Sequence, residues 1–270
     1  MFSNTGIATL GRIIDHMEGW QARHGTIAAL GVASFGPIDR GAQSPTYGHI
    51  TSTAKPGWRY VDVAGPLTRA MNVPTYFDTD VNGAALAENL WGAARALDDF
   101  AYVTVGTGVG VGLMVNGSLV HGFGHPELGH ARVACLPGDI SPGACRLHSD
   151  CVEGFASGTA IAASAGQPAE HLAADHPVWR RVAHALGQLM HTIVLTTAPR
   201  LIILGGGVIQ SRPELLVQAR KALLQSLNGY VALESLVGPI DDFIVSPGLG
   251  TLAGPLGALA LAGHAYSNAH

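Results

Sequence analysis

Ile7, Leu10, Ile13, Ile14, Met17 and Trp20 recur three or four residues apart, the spacing that predicts a helix with one apolar face. An unbroken apolar run over 27–32 follows and stops at Gly36-Pro37, the pattern of a buried strand. Residues 40–60 are rich in Pro, Gly, Ser and Thr and predict a long surface loop, of the kind that binds something or moves. A helix over 66–71, a strand over 75–77 ending at Asp78, and an alanine-rich helix over 82–96 come next. Apolar stretches at 100–105, 109–115 and 118–120 predict three strands, the last two joined by Asn116-Gly117, a hairpin turn pair. Beyond an irregular stretch at 122–150, helices are predicted over 157–165, 177–198 and 212–227. A short strand at 201–204 lies between the last two and runs into Gly205, Gly206 and Gly207. With a strand at 243–245 and a helix over 253–263, strands alternate with helices along the chain, which predicts an α/β protein.

Composition narrows the function. A hydrophobic fraction of 47%, a charged fraction of 13% and a formal net charge of −4 leave no basic surface for nucleic acid. The most apolar stretch, 186–209, is interrupted by His191, Pro199, Arg200 and a glycine run, so no membrane span is expected. The opening residues carry Arg12, Asp15 and Glu18 in an amphipathic pattern unlike a secretory signal, and the cytoplasm is the expected compartment. Three cysteines, all between Cys135 and Cys151, point to reduced thiols and a metal site instead of a disulfide framework.

His130, Cys145, His148 and Cys151 form the sharpest cluster. Pairs of residues separate Cys145 from His148 and His148 from Cys151, while His130 reaches in from upstream. Two thiolates and two imidazoles suit tetrahedral zinc, and the thiolate charges offset the dication. With four protein ligands the metal is expected to be structural. The plain alternative is a set of buried cysteines beside exposed histidines, in a chain that has 13 histidines. Cys135 is a spare thiol or a competing ligand.

Asp78-Thr79-Asp80-Val81-Asn82 places two carboxylates and an amide where a strand gives way to a helix. Function often sits at such a junction in α/β folds, but an Asp or Asn there is also the ordinary look of a helix cap. Glu127 and Glu153 flank the cysteine-rich loop, either to grip the hydroxyls of a sugar or as solvated acids. Val105-Gly106-Thr107-Gly108-Val109-Gly110 lets amides and a hydroxyl approach a phosphate closely. It lacks the lysine of a P-loop, and a tight hairpin is the equal alternative. Gly205, Gly206 and Gly207 either clear room for a flat base or allow a strand and helix to pack closely.

The order of these features resembles that of bacterial fructokinases of the ROK family. The resemblance runs from Ala33-Ser34-Phe35-Gly36-Pro37-Ile38-Asp39 through Ser44-Pro45-Thr46-Tyr47-Gly48 and Ile50-Thr51-Ser52-Thr53 to Thr79-Asp80-Val81-Asn82. It continues through Gly106-Thr107-Gly108, His125-Pro126-Glu127-Leu128-Gly129-His130 and the His–Cys–His–Cys cluster, and ends with Gly205-Gly206-Gly207-Val208 and Pro247-Gly248-Leu249-Gly250. It implies an actin-like (ribonuclease H-like) two-lobed α/β fold. The small lobe would hold 1–84 with 252–270 returning to it, and the large lobe 85–251 with a zinc loop at 122–153. It implies ATP-dependent phosphorylation of a hexose, fructose first, with glucose or N-acetylmannosamine as alternatives. Asp80 would be the general base, and Asn82, Glu127, His130 and Glu153 would bind the sugar. Gly106, Thr107 and Gly108 would form a phosphate loop, and Gly205, Gly206 and Gly207 part of the adenosine pocket. Zinc would be structural, magnesium would accompany ATP, and a homodimer would be the assembly.

Two departures stand out. The family's first phosphate loop, Asp-x-Gly-Gly-Thr, has no match, so an upstream segment is expected and the apolar run at 27–32 would be an exposed edge without it. The same gap motivates the alternative of a catalytically silent sugar-binding or regulatory protein, against which the retained Asp80 weighs. Gly83 stands where the family usually has alanine.

Overall fold

The computed structural model describes residues 5–269. Strand β1 (Leu30–Ser34) pairs in parallel with β2 (Thr75–Thr79), Leu30 opposite Thr75 and Ser34 opposite Thr79. Helix Ala253–Ala269 lies against β1 so closely that a Cβ on Gly31 would stand 2.0 Å from the Ala258 carbonyl oxygen. Leu10 from helix Thr5–His24, Leu67 from helix Ala64–Met71, Val32, Ile38, Ile50 and Phe77 fill the core beside this sheet. Among the described residues β1 has a strand partner on one edge, β2.

The larger sheet has the order β5-β4-β3-β6-β7, with β3 (Phe100–Val105), β4 (Val109–Val115), β5 (Ser118–Leu119), β6 (Leu201–Gly205) and β7 (Ile244–Val245). β3 runs antiparallel to β4 and parallel to β6, and β6 runs parallel to β7. Strands β3 and β6 are buried almost throughout, as continuous apolar runs must be when both sheet faces are covered. Helices Val178–Thr197 and Glu214–Leu227 cross at Gly187, where a Cβ would meet that of Ala222 at 2.6 Å. Leu186, Leu189, Met190 and Ile193 are fully buried in the core of this layer.

The chain divides into two compact units, one made of the residues up to Ala87, His121–His125 and those from Leu252, the other of Glu88–Val120 and Pro126–Thr251. The sequence drew the line at 84 and left 121–125 in the large lobe; His121–His125 groups with the first unit instead, and its histidines bond there. Residues 1–4 and 270, which the sequence division included, lie outside the described residues.

Several element limits differ from expectation for identifiable reasons. The helix expected over 82–96 is Asp80–Trp91. It stops where the Glu88 carboxylate takes the Ala93 amide (2.7 Å) and Asn89 donates to the carbonyls of Ala94 and Leu97. The stretch 40–60 is not all surface: Ile50 is fully buried and bridges to Ile38. The last helix continues past Gly263 to Ala269, and short helices at Val152–Ala156, Gly207–Ser211, Leu233–Val237 and Ile240–Phe243 carried too little periodicity to be read.

Candidate functional site

Strand β2 delivers Asp78 and Thr79, and the helix begins at once with Asp80. Thr79 caps that helix, its hydroxyl accepting the Asn82 amide at 3.1 Å. Capping therefore does not consume the carboxylate of Asp80. Solvent reaches the Asp80 side chain, yet protein surrounds it closely, and this desolvation holds its carboxyl above the ordinary aspartate range. The Val81 amide, 2.9 Å from Oδ1, and the charge of Lys55 oppose the shift without reversing it.

Asp78 and Asn82 are buried, and sequence reasoning missed the network that joins them. Asp78 Oδ1 accepts the Thr79 amide (2.7 Å) and Asn82 Nδ2 (2.8 Å), while Oδ2 accepts His121 Nε2 (3.0 Å) and faces Arg40 Nη2 at 3.4 Å. Burial pushes the Asp78 carboxyl up, but the His121 bond, the Arg40 charge and the Asn82 bond together hold it below the ordinary range. Arg40 is itself fixed, donating to the Phe77 carbonyl and the Tyr76 hydroxyl. Asn82, expected to bind substrate, is 1% exposed and its amide is spent on Asp78. No local pattern could have found His121, which lies 43 residues from Asp78. At the other end of the same segment, His125 Nε2 accepts the Ile38 amide at 3.0 Å. In the loop after β1, Asp39 accepts Ser44 Oγ (2.5 Å), Thr46 Oγ1 (2.6 Å) and the Gly41 amide, which orders the Ser-Pro-Thr-Tyr-Gly segment.

In the second unit, His130, Cys145, His148 and Cys151 converge, with one ligand atom from each lying within 4.8 Å of all the others. His130 Nδ1 is 3.7 Å from both sulfurs, and His148 Nδ1 is 3.9 Å from Cys145 Sγ. A tetrahedral zinc with Zn–S of about 2.3 Å and Zn–N of about 2.0–2.1 Å requires S···N edges of about 3.6 Å, so these residues fit that ion. Burial pushes the Cys151 thiol up to about 11, so a cation that binds there must displace a proton at neutral pH. Cys135 is exposed and outside the cluster.

The ligand loop is tied to its surroundings by backbone. The turn Leu128–His130 presses on β4, where a Cβ on Gly129 would stand 1.9 Å from the Val109 carbonyl oxygen. Glu127, exposed, opens this turn and its carbonyl accepts the His130 amide. Glu153 Oε1 lies 4.0 Å from His130 Nε2, and Oε2 accepts the Val109 amide at 3.0 Å. Glu153 thus stands between His130, a candidate metal ligand, and the glycine hairpin.

That hairpin turns β3 into β4, with the Gly106 amide donating to the Gly108 carbonyl at 2.9 Å. It is braced from the next helix, the Gly158 amide donating to the Gly106 carbonyl and Thr159 Oγ1 to the Thr107 carbonyl. Because β3 and β6 are parallel and Thr104 pairs with Gly205, the hairpin and the second glycine run share the carboxyl end of neighbouring strands. Ligands in open α/β sheets bind at that end. Gly206 has φ +94° and its missing Cβ would meet Val105 backbone at 2.5 Å, the close-packing role, whereas Gly207 borders open space.

A model of the ROK family matches residues 4–265. The chain belongs to the ROK family. Its relatives include the fructokinase of Pediococcus pentosaceus, 40% identical over 90% of this chain and 83% of that one. The fructokinase of Zymomonas mobilis is 38% identical over 94% and 84%. A crystal structure of a ROK hexokinase from Thermus thermophilus, 26% identical, superposes with a TM-score of 0.74 over 96% of this chain and 87% of that one. The fold is the actin-like α/β fold of ROK sugar kinases. Among the described residues no helix is long and apolar enough to cross a membrane.

Proposed function

We propose that this ROK protein transfers the γ-phosphoryl group of magnesium-ATP to a hexose, fructose first, giving fructose 6-phosphate. The chain is a sugar kinase. What supports fructose over other hexoses is the pair of relatives named fructokinase, matched across more than four fifths of each chain. The silent sugar-binding alternative is not favoured, since these relatives carry the name of the enzyme.

Asp80 accepts the proton of the attacking hydroxyl as that oxygen bonds to phosphorus and ADP departs with the electrons of the broken P–O bond. Its raised pKa makes it a stronger base than an ordinary aspartate. Glu127, His130 and Glu153 serve the sugar, and Asn82 acts on the Asp80 side as the buried partner of Asp78. Amides and the Thr107 hydroxyl of the Gly106–Thr107–Gly108 hairpin serve the phosphates, and Gly205, Gly206 and Gly207 the adenosine. Magnesium neutralises phosphate charge when bound with the nucleotide. Zinc, held by His130, Cys145, His148 and Cys151, fixes the loop that carries the sugar-side residues. Thiolate ligands and ATP both suit the cytoplasm, and a homodimer is the assembly to test by light scattering.

The test is fructose-dependent ADP release with magnesium-ATP, using the 270-residue chain and its Asp80→Asn variant. Release that requires sugar and disappears in the variant is expected. Sugar-dependent turnover that survives in Asp80→Asn, or no response of activity or melting temperature to any hexose, refutes the reading.

A further inference from the structure

The Asp78 network raises a question about which group meets the sugar beside Asp80. Asn82 is 1% exposed and donates to Asp78, so in this arrangement a ligand barely reaches it. The His121 side chain is 26% exposed and stands against Asn82, its Nε2 3.2 Å from Asn82 Nδ2. We propose that His121 is a sugar-contacting residue, held in place by the buried pair Asp78 and Asn82. This rests on the kinase reading above.

The chemistry of the contacts fixes how His121 presents itself. An ionised carboxylate only accepts, so Asp78 requires a proton on His121 Nε2 and requires Asn82 to turn its Nδ2 inward. The two donors take one oxygen each: Nδ2 goes to Oδ1 and Nε2 to Oδ2. Their 3.2 Å separation is the consequence of sharing one carboxylate and is not itself a hydrogen bond. With Nε2 committed, Nδ1 is the ring atom left for a ligand. In the neutral ring it accepts a hydroxyl proton, and in the charged ring it donates to a hydroxyl oxygen; a polyol satisfies both. The ring also cannot swing freely. His125 pins the far end of the segment to the Ile38 amide at 3.0 Å, and Arg40 helps to balance the Asp78 charge at 3.4 Å. Holding a contacting group in one orientation before the ligand arrives is what makes such a contact selective.

The experiment compares the full chain with His121→Phe and His121→Gln. Fructose binding is measured by titration calorimetry without nucleotide, steady-state KM values are measured for fructose and ATP, and melting temperature is the control. For His121→Phe we expect fructose affinity to fall roughly tenfold, the scale of one lost hydrogen bond, with KM for ATP unchanged. His121→Gln keeps a donor for Asp78, so it should melt with the parent and lose less affinity, which separates contact from folding. Parental fructose affinity in both variants overturns the proposal, as does an equal loss for fructose and ATP. If the parent chain phosphorylates fructose and Asp80→Asn does not, while His121 variants bind normally, this inference alone fails. If the parent neither binds nor phosphorylates a hexose, the kinase reading fails and takes this one with it.

Discussion

Glu88 is fully buried, and its carboxylate holds the amides of Ala93 at 2.7 Å, Gly248 at 3.0 Å and Leu249 at 3.0 Å. These bonds join the end of helix Asp80–Trp91 to the Pro-Gly-Leu-Gly segment, two parts of the chain about 160 residues apart. Packing is tight enough to demand glycine at two neighbours: a Cβ on Gly92 would stand 2.0 Å from Glu88 Oε2, and one on Gly248 would stand 2.6 Å from the Ala93 nitrogen. Glu88→Ala strips the acceptor from three amides at once. An unsatisfied buried donor costs about 1–3 kcal/mol, and partial relaxation with entry of water keeps the total near about 3–5 kcal/mol. At about 2–4 °C per kcal/mol for a unit of this size, the melting transition of the larger unit should fall by roughly 10 °C. Glu88→Gln keeps one carbonyl oxygen but turns an NH2 toward an amide donor, so its loss should be intermediate. Calorimetry gives the transition, and hydrogen exchange at Ala93, Gly248 and Leu249 localises the effect without assuming two-state unfolding. A loss under about 1 kcal/mol with unchanged exchange at those amides would falsify the reasoning, because desolvating the carboxylate would then cancel what its three bonds contribute.

Four further outcomes are expected. Cys145→Ser should abolish stoichiometric zinc by elemental analysis and expose 131–151 to proteolysis; a metal-free protein with that loop still protected would remove the structural role of the site. Because Asp80 must be ionised to act as a base and its pKa is raised, kcat/KM should fall on the acid side at a pH above that of an ordinary aspartate. An acid limb at or below the ordinary value would count against this. Asp78 has a lowered pKa, so its contribution to stability is present above the unfolded-state value and is lost as pH falls through the folded one; acid unfolding of Asp78→Asn should lack that component. Gly129→Ala drives a Cβ into the Val109 carbonyl, so it should weaken sugar binding more than a Gly122→Ala control, where open space surrounds the Cα.

How much of this was legible depended on how local each feature is. The four candidate zinc ligands fall within 22 residues, and their side chains converge as the spacing suggests. The Asn116-Gly117 turn between β4 and β5 was readable because both positions take positive φ, which few residue pairs tolerate. Asp78 and Asn82 looked like caps, and only the fold shows that Thr79 caps the helix while the other two go to a buried network closed by His121. Glu88 carries no signal in the sequence, because nothing near it announces the Gly248 and Leu249 amides. Ile50 was hidden in a loop-like composition, and its burial depends on a bridge to Ile38 that no periodicity reports.

The placement of helix Ala253–Ala269 on β1 bears on how the protein is made. The ribosome releases β1 and β2 early, but the helix whose backbone packs on Gly31 emerges about 220 residues after β1. At about 5–20 residues per second, β1 waits on the order of ten seconds or more for its cover, whereas the strands and helices of Glu88–Val120 and Pro126–Thr251 are all available before then. A nascent chain from which residues up to Thr251 have emerged but the helix has not would therefore carry a complete larger unit and an uncovered pair of parallel strands, a natural substrate for chaperones. Loss of even part of this helix should likewise do more damage than its length suggests, because β1 loses its cover.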